Sequence, residues 1–188
     1  MNTMFKYLIF FFSLNVGLLL AEETKELSTE MERFQAETGD VIIKGFENVG
    51  TRMRGKFKRA LIVEAREFIK VSAGEKSFGI VVEVKETSGN YPKTGRSFVD
   101  YDEIDSLIEG IDYIAKIKES ASSLSSIEAA YSTNGGVKIT AFTHRGQLSY
   151  AIEAGKYSSV SIYLNGVDDL TTFKNSVVAA KVRIDGIK

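Results

Sequence analysis

The stretch IEAAYSTNGGVKITAFTH, residues 127–144, decides the class of fold. Two segments of alternating apolar and polar residues, 127–133 and 137–144, flank Asn134-Gly135-Gly136. Alternation with a period of two is typical of strands, and asparagine and glycine tolerate the positive backbone angles of a tight turn. The stretch therefore predicts a β-hairpin, and with it a sheet whose neighbouring strands are antiparallel.

The chain after this hairpin predicts two more strands and a helix. Turn residues at 145–146 and 155–156 bound a strand at 147–154, a further strand follows at 160–164, and a helix starts near Gly166. The apolar positions of that helix are Val167, Leu170, Phe173, Val177 and Ala180. Their spacing is that of a helix with one buried side, so this half predicts four strands followed by a helix.

The chain before the hairpin predicts the same order of elements. Period-two segments predict strands at 41–46, 52–66, 68–73 and 78–86. A polar loop at 87–97 then leads to a helix, whose start at Asp100 and Glu103 has the spacing of a capping box. The serine-rich segment 120–126 predicts a linker between the two halves.

These patterns predict an α+β fold of two ββββα units in tandem, residues 40–119 and 127–184, within one domain over 40–188. We expect antiparallel sheets with an amphipathic helix packed on each, because a sheet with one apolar face must bury it against another layer. When the two helices are aligned, Asp102 and Glu103 fall on Asp168 and Asp169. Together with the repeated order of elements, this alignment favours a duplicated unit.

The order of elements over residues 41–182 resembles that of the Whirly and PC4-like single-strand-binding folds and of the PUR repeats. The resemblance implies paired units whose sheet surfaces hold nucleic acid. It lies in element order and not in sequence, since the stretch RGKFKRAL at 54–61 has two more residues before its alanine than the Whirly motif KGKAAL. The near-balanced charge and the N-terminal segment weigh against the same function here.

Residues 1–21 predict a secretory signal peptide. Lys6 precedes a mostly apolar stretch, 7–21, that is shorter than the roughly 20 residues a membrane-spanning helix needs. We expect cleavage after Ala21 and an exported protein, periplasmic or extracellular. Because Leu19 occupies a position where a small residue is usual, the alternative is an uncleaved segment that keeps the protein in contact with a membrane. Residues 22–39 predict a polar helix or tail.

Composition excludes several kinds of site. The chain has no cysteine, which excludes disulfides, thiolate metal sites and lipid attachment through cysteine. Its 24 basic and 25 acidic residues give a net charge of −1, whereas a protein that coats nucleic acid usually carries a clear basic excess. The single histidine, His144, needs several partners to form a metal site or a catalytic triad, so we expect no metal and no cofactor.

The basic run at 52–59 is the sharpest local feature. Its five cationic residues, with no acid among them, are Arg52, Arg54, Lys56, Lys58 and Arg59. If the run is one strand, four of these side chains share a face, which predicts binding of a nucleic-acid backbone, an acidic polysaccharide or lipid headgroups. The alternative is a solvated outer face whose charge is balanced by acidic residues at 100–112.

The loop at 87–97 is a second candidate for binding. It holds Tyr91 and the only proline, Pro92, and it is longer than most connections between neighbouring elements. The alternative is that its length only spans the distance from the sheet to the following helix.

We therefore expect an exported, non-enzymatic binding or structural protein that self-associates through sheet edges or faces, with its ligand left open. The alternative is a protein that binds single-stranded nucleic acid or another polyanion through the basic strand face. A catalytic pair of carboxylates is a third possibility. The acidic residues that suggest it, at 100–112, are explained at least in part by the preference of negative charge for the first turn of a helix.

Overall fold

The computed structural model describes residues 27–55, 58–88 and 91–188, so the expected signal peptide lies outside the described residues. The helices are α1 (Glu30–Ala36), α2 (Ile104–Ala115) and α3 (Val167–Asp185). The strands are β1 (Ile42–Gly55), β2 (Arg59–Lys70), β3 (Lys76–Glu86), β4 (Lys93–Asp100), β5 (Glu128–Ser132), β6 (Lys138–His144), β7 (Gln147–Ala154) and β8 (Val160–Tyr163). Over these ranges no helix has the length and apolar character needed to span a bilayer.

The strands form two four-stranded antiparallel sheets, each in the order of the sequence. The first contains β1 to β4 and the second contains β5 to β8. The α+β class with antiparallel sheets is thus confirmed.

The second sheet follows the predicted strands closely. The turn between β5 and β6 is closed by Thr133, whose backbone N–H donates to the carbonyl of Val137 and whose hydroxyl accepts the N–H of Val137. Gly136 has φ +86°, the positive angle that a glycine at this turn was expected to supply. Turn residues and alternation act together here, so the strand bounds are predicted almost to the residue.

In the first sheet, two predicted breaks between strands are absent, and a segment predicted to be a loop contains a strand. β1 runs unbroken through 47–51 and β2 through 66–68. At Gly50, with φ +70°, the register between β1 and β2 shifts and the strand bulges without ending. The predicted loop at 87–97 contains most of β4, which was missed because its inward positions hold the small residues Gly95 and Ser97.

The predicted capping box of α2 is wrong. The side chain of Asp100 makes no capping bond at the start of the helix. Its carboxylate instead accepts the backbone N–H groups of Glu30 and Met31, at 2.6 and 3.0 Å. Glu103 turns to another element and accepts the N–H of Asn134 at 2.8 Å. Both carboxylates therefore join segments that are far apart in the sequence.

The polar segment before β1 contains a docked helix. Thr29 and Glu32 form a capping box at the start of α1. Met31 is fully buried, and a Cβ atom on Gly79 of β3 would overlap its sulfur. α1 therefore packs on the sheet face that carries Gly79, and glycine at that position makes room for it.

Each sheet is covered by the helix that follows the other sheet. α3 lies across β1, β2 and β3, whereas α2 lies against β5, β6 and α3. A single core contains residues of both sheets and of the helices α2 and α3. In the first sheet the core side chains alternate along each strand with those of the opposite face. We call the core side of this sheet the inner face and the opposite side the outer face. The outer face holds Arg54, Ala60, Glu83, Lys85 and Arg96.

Candidate polyanion-binding groove

The basic run forms a hairpin and not a single strand face, which corrects the sequence-based expectation. β1 ends at Gly55 and β2 begins at Arg59, and these two residues are opposite each other in the pairing. Lys58 lies in the turn with φ 52°. Lys56 lies outside the described residues. The predicted strand at 52–66 is divided because β1 continues through 47–51 and ends at Gly55, which lies inside the basic run.

The hairpin nevertheless brings its basic side chains together. Arg52, Arg54, Lys58 and Arg59 line a groove of about 310 Å³. Ala60 and Thr87 complete its lining, and no acidic side chain of the described residues lines it. We call this set of six residues the basic groove. A concave surface lined by charge of one sign concentrates oppositely charged ligands.

Three of the four cations in the groove are exposed and have no counter-ion within the protein as far as it is described. Arg52, Arg54 and Lys58 form no ion pair with a described residue. Two of the acidic residues expected to balance them form ion pairs elsewhere. Asp105 pairs with Lys181 and Asp112 pairs with Lys174, both on α3.

Arg59 differs from its neighbours because it anchors the groove to the fold. Its Nε and Nη2 donate to Glu86 at 3.0 and 2.8 Å, and its Nη1 donates to the carbonyl of Ser161 on β8 at 2.7 Å. The hydroxyl of Ser88, followed by the guanidinium of Arg59, holds the pKa of Glu86 below its ordinary value. Arg59 therefore fixes the hairpin against the second sheet.

Tyr91 lies at the same end of the first sheet. Its side chain is 84% exposed, and it precedes β4 by two positions. Thr87, at the end of β3, donates its backbone N–H and its hydroxyl to the carbonyl of Lys58, at 3.3 and 3.1 Å. The connection that carries Tyr91 is therefore tied at its start to the basic hairpin.

Two further cations on the outer face were missed by the sequence analysis. Lys85 on β3 and Arg96 on β4 both pair with Glu83, whose side chain is 1% exposed. Burial opposes the ionised form of Glu83, but Lys85 and Arg96 outweigh it, so the pKa of Glu83 is below its ordinary value. From the sequence, alternation along residues 83–86 predicts only that Lys85 lies on the same face as Glu83. The strand register is needed to place Lys85 and Arg96 beside the basic groove.

The remaining candidates do not assemble into a site. His144 is exposed at the end of β6. Within the described ranges, no three or more histidine, cysteine or acidic side chains are grouped so that they could hold a metal ion. Three acids near the start of α2, Asp100, Glu103 and Asp105, are engaged in contacts that join elements of the fold.

No protein-family model, no curated protein and no solved structure matches the chain.

Proposed function

We propose that the protein is an exported, non-enzymatic binding protein that holds an anionic ligand in the basic groove. The observation that carries this proposal is the convergence of Arg52, Arg54 and Lys58 on one groove with no acidic side chain of the described chain among its lining residues. An anion in the groove relieves the mutual repulsion of these cations. Guanidinium groups in addition match the planar, two-oxygen geometry of carboxylates, sulfates and phosphates.

Export is the second part of the proposal. It is supported by the charged and then apolar residues at 1–21. If the segment is retained, it provides contact with a membrane. Self-association through sheet edges or faces also remains part of the proposal.

For the domain organisation, we propose one domain over 40–188 made of duplicated ββββα units, 40–119 and 127–184, in a Whirly-like arrangement. Support comes from the order of four strands and one helix in each half and from the exchange of helices between the sheets. An exchange in both directions is what two similar units produce when they pair around an approximate two-fold axis.

Binding of single-stranded nucleic acid is a second candidate, and Tyr91 favours it. Proteins that bind single strands combine a basic groove with exposed aromatic rings on which bases stack. Tyr91 offers such a ring at the end of the sheet that carries the groove.

The test measures binding of the purified protein to a sulfated oligosaccharide, to polyphosphate, to a single-stranded oligonucleotide and to neutral dextran, at low and at high salt. The variant Arg52→Gln/Arg54→Gln/Lys58→Asn removes three cations from the groove. Its matched control, Lys116→Gln/Lys118→Gln/Arg145→Asn, removes three exposed cations elsewhere.

We expect salt-dependent binding of anionic probes only, weakened about tenfold or more in the groove variant and little changed in the control. Equal weakening in both variants would mean that the effect comes from net charge, and would overturn the proposed site. Absence of binding to every anionic probe at low salt would overturn the function.

A further inference from the structure

We infer that the ligand is an acidic polysaccharide that crosses the strands of the first sheet, from the basic groove over Lys85 to Arg96. This inference rests on the proposed function of the groove. It adds the path of the ligand and its chemical class.

Strand register defines the path. Arg54 is opposite Ala60, Ala60 is opposite Lys85, and Lys85 is opposite Thr94, so these four residues form one row on the outer face. Neighbouring strands are about 4.8 Å apart, which separates the backbones at Arg54 and Lys85 by about 10 Å and those at Arg54 and Thr94 by about 14 Å. Arg96 lies two positions along β4 from Thr94, on the same face. We call Arg54, Lys85 and Arg96 the basic track.

Glu83 orients the two cations at the far end of the track. Its Oε1 lies 2.6 Å from Nζ of Lys85, and its Oε2 accepts Nε of Arg96 at 3.0 Å. Glu83 is buried, yet the side chains of Lys85 and Arg96 remain 40% and 47% exposed. One buried carboxylate thus holds two cations that still face solvent, and the group keeps one net positive charge for a ligand above it.

The side chains along the track favour a polysaccharide over a nucleic acid. The small residues Ala60 and Thr94 lie in the row of Arg54 and Lys85, and Ile62 and Glu83 lie in the row of Arg96. In these two rows the described strands carry no aromatic side chain, whereas binding of single strands depends on aromatic rings for stacking. A row of Arg and Lys without stacking surfaces is suited to the carboxylate and sulfate groups of acidic polysaccharides.

The test compares sulfated oligosaccharides of increasing length, from a disaccharide to an octasaccharide, with single-stranded oligonucleotides of equal charge. The variant Lys85→Gln/Arg96→Gln interrupts the track and leaves the basic groove intact. Because it also leaves Glu83 buried without a counter-ion, the variant Glu83→Gln/Lys85→Gln/Arg96→Gln is tested beside it, and thermal unfolding confirms that each variant is folded.

We expect the wild-type affinity to rise about tenfold or more with oligosaccharide length. In both track variants the disaccharide binds as in the wild type, and the gain with length is lost. If the track variants bind the octasaccharide as tightly as the wild type while the groove variant does not, the path is wrong and the proposed function stands. Tighter binding of oligonucleotides that depends on Lys85 and Arg96 would overturn the ligand class. No binding of any anionic probe would overturn both proposals.

Discussion

Gly95 of β4 lies directly against the carbonyl oxygen of Ala154 at the end of β7. A Cβ atom on Gly95 would overlap that oxygen and would lie 2.8 Å from the backbone nitrogen of Val160. Beside this contact, the buried hydroxyl of Ser97 accepts the N–H of Gly155 at 2.8 Å. The two sheets therefore meet backbone to backbone at this corner, and the small residues of β4 are required for the approach.

Replacing Gly95 with alanine is expected to destabilise the protein by about 1–3 kcal/mol, because the backbones of two strands must move apart. Equilibrium unfolding in urea measures the change. The control is Gly45→Ala in β1, where the nearest atoms to a new Cβ, all of Glu67, lie at ordinary contact distances of 3.6 to 3.7 Å. Equal stability of the two variants would contradict a tight junction at Gly95.

The same contact explains why part of the fold could not be predicted from the sequence. The hairpin at 134–136 was predictable because turn residues and alternation coincide there. β4 was not, because Gly95 and Ser97 occupy positions where an inward-facing strand residue is normally large and apolar. The exchange of helices was not predictable either, since the apolar stripe of a helix does not specify which of two sheets it covers.

The candidate site was likewise predictable only in part. The cluster of Arg52, Arg54, Lys58 and Arg59 is evident in the sequence because these residues are close together in the chain. Their arrangement in a hairpin was missed because residues 52–66 were predicted as one strand, whereas β1 continues through a bulge at Gly50 and ends at Gly55. The nearness of Arg96 could not be predicted because it depends on the pairing of β4, a strand that was itself missed.

The helix α1 is expected to depend on Asp100. Replacing Asp100 with asparagine removes the negative charge at the N-terminus of α1 and leaves one acceptor for the N–H groups of Glu30 and Met31. Loss of a helix cap costs about 0.5–2 kcal/mol. We expect faster hydrogen exchange of the amides of α1 and an increase in its proteolysis.

The matched control for this prediction is Asp102→Asn, which changes the same charge two residues away at an exposed position. We expect α1 to exchange as in the wild type in this control. If both variants loosen α1 equally, the effect comes from the general negative charge of this region and not from the two hydrogen bonds.

Glu103 is expected to lower stability at neutral pH. Burial, together with the nearby charges of Asp100 and Asp102, raises the pKa of Glu103, although the hydrogen bond from the Asn134 N–H opposes this effect. The Oε2 atom of Glu103 is buried without a hydrogen-bond partner among the described residues. Glu103→Gln keeps an acceptor for Asn134 and removes the charge. The variant is therefore expected to melt about 1–3 °C above the wild type at pH 7, a modest gain because solvent screens a partly exposed carboxylate.

The sign of this pH dependence follows from the raised pKa of Glu103. Below the unfolded-state pKa, near 4.3, Glu103 is protonated in both states and the wild type no longer carries the penalty. The advantage of Glu103→Gln should therefore disappear as the pH falls below about 4. An advantage of equal size at pH 4 and pH 7 would show that the charge of Glu103 is not its cause.

Glu83, in contrast to Glu103, is expected to stabilise the protein at neutral pH. Replacing it with glutamine removes the counter-ion of Lys85 and Arg96 and is expected to cost about 1–3 kcal/mol at pH 7, as for hydrogen bonds to a charged group. The control, Glu128→Gln, breaks an exposed pair with Lys138 at 3.5 Å and should change stability by less than about 0.5 kcal/mol.

Because the pKa of Glu83 is lowered by folding, its contribution is complete above the unfolded-state pKa, near 4.3, and is lost as the pH falls through the lower folded-state value. The difference in unfolding free energy between the wild type and Glu83→Gln should therefore be largest near pH 7 and shrink below about pH 4. Urea unfolding at a series of pH values measures it. A difference that grows as the pH falls would mean that Glu83 is held as a neutral acid, in which case it could not act as the counter-ion of Lys85 and Arg96.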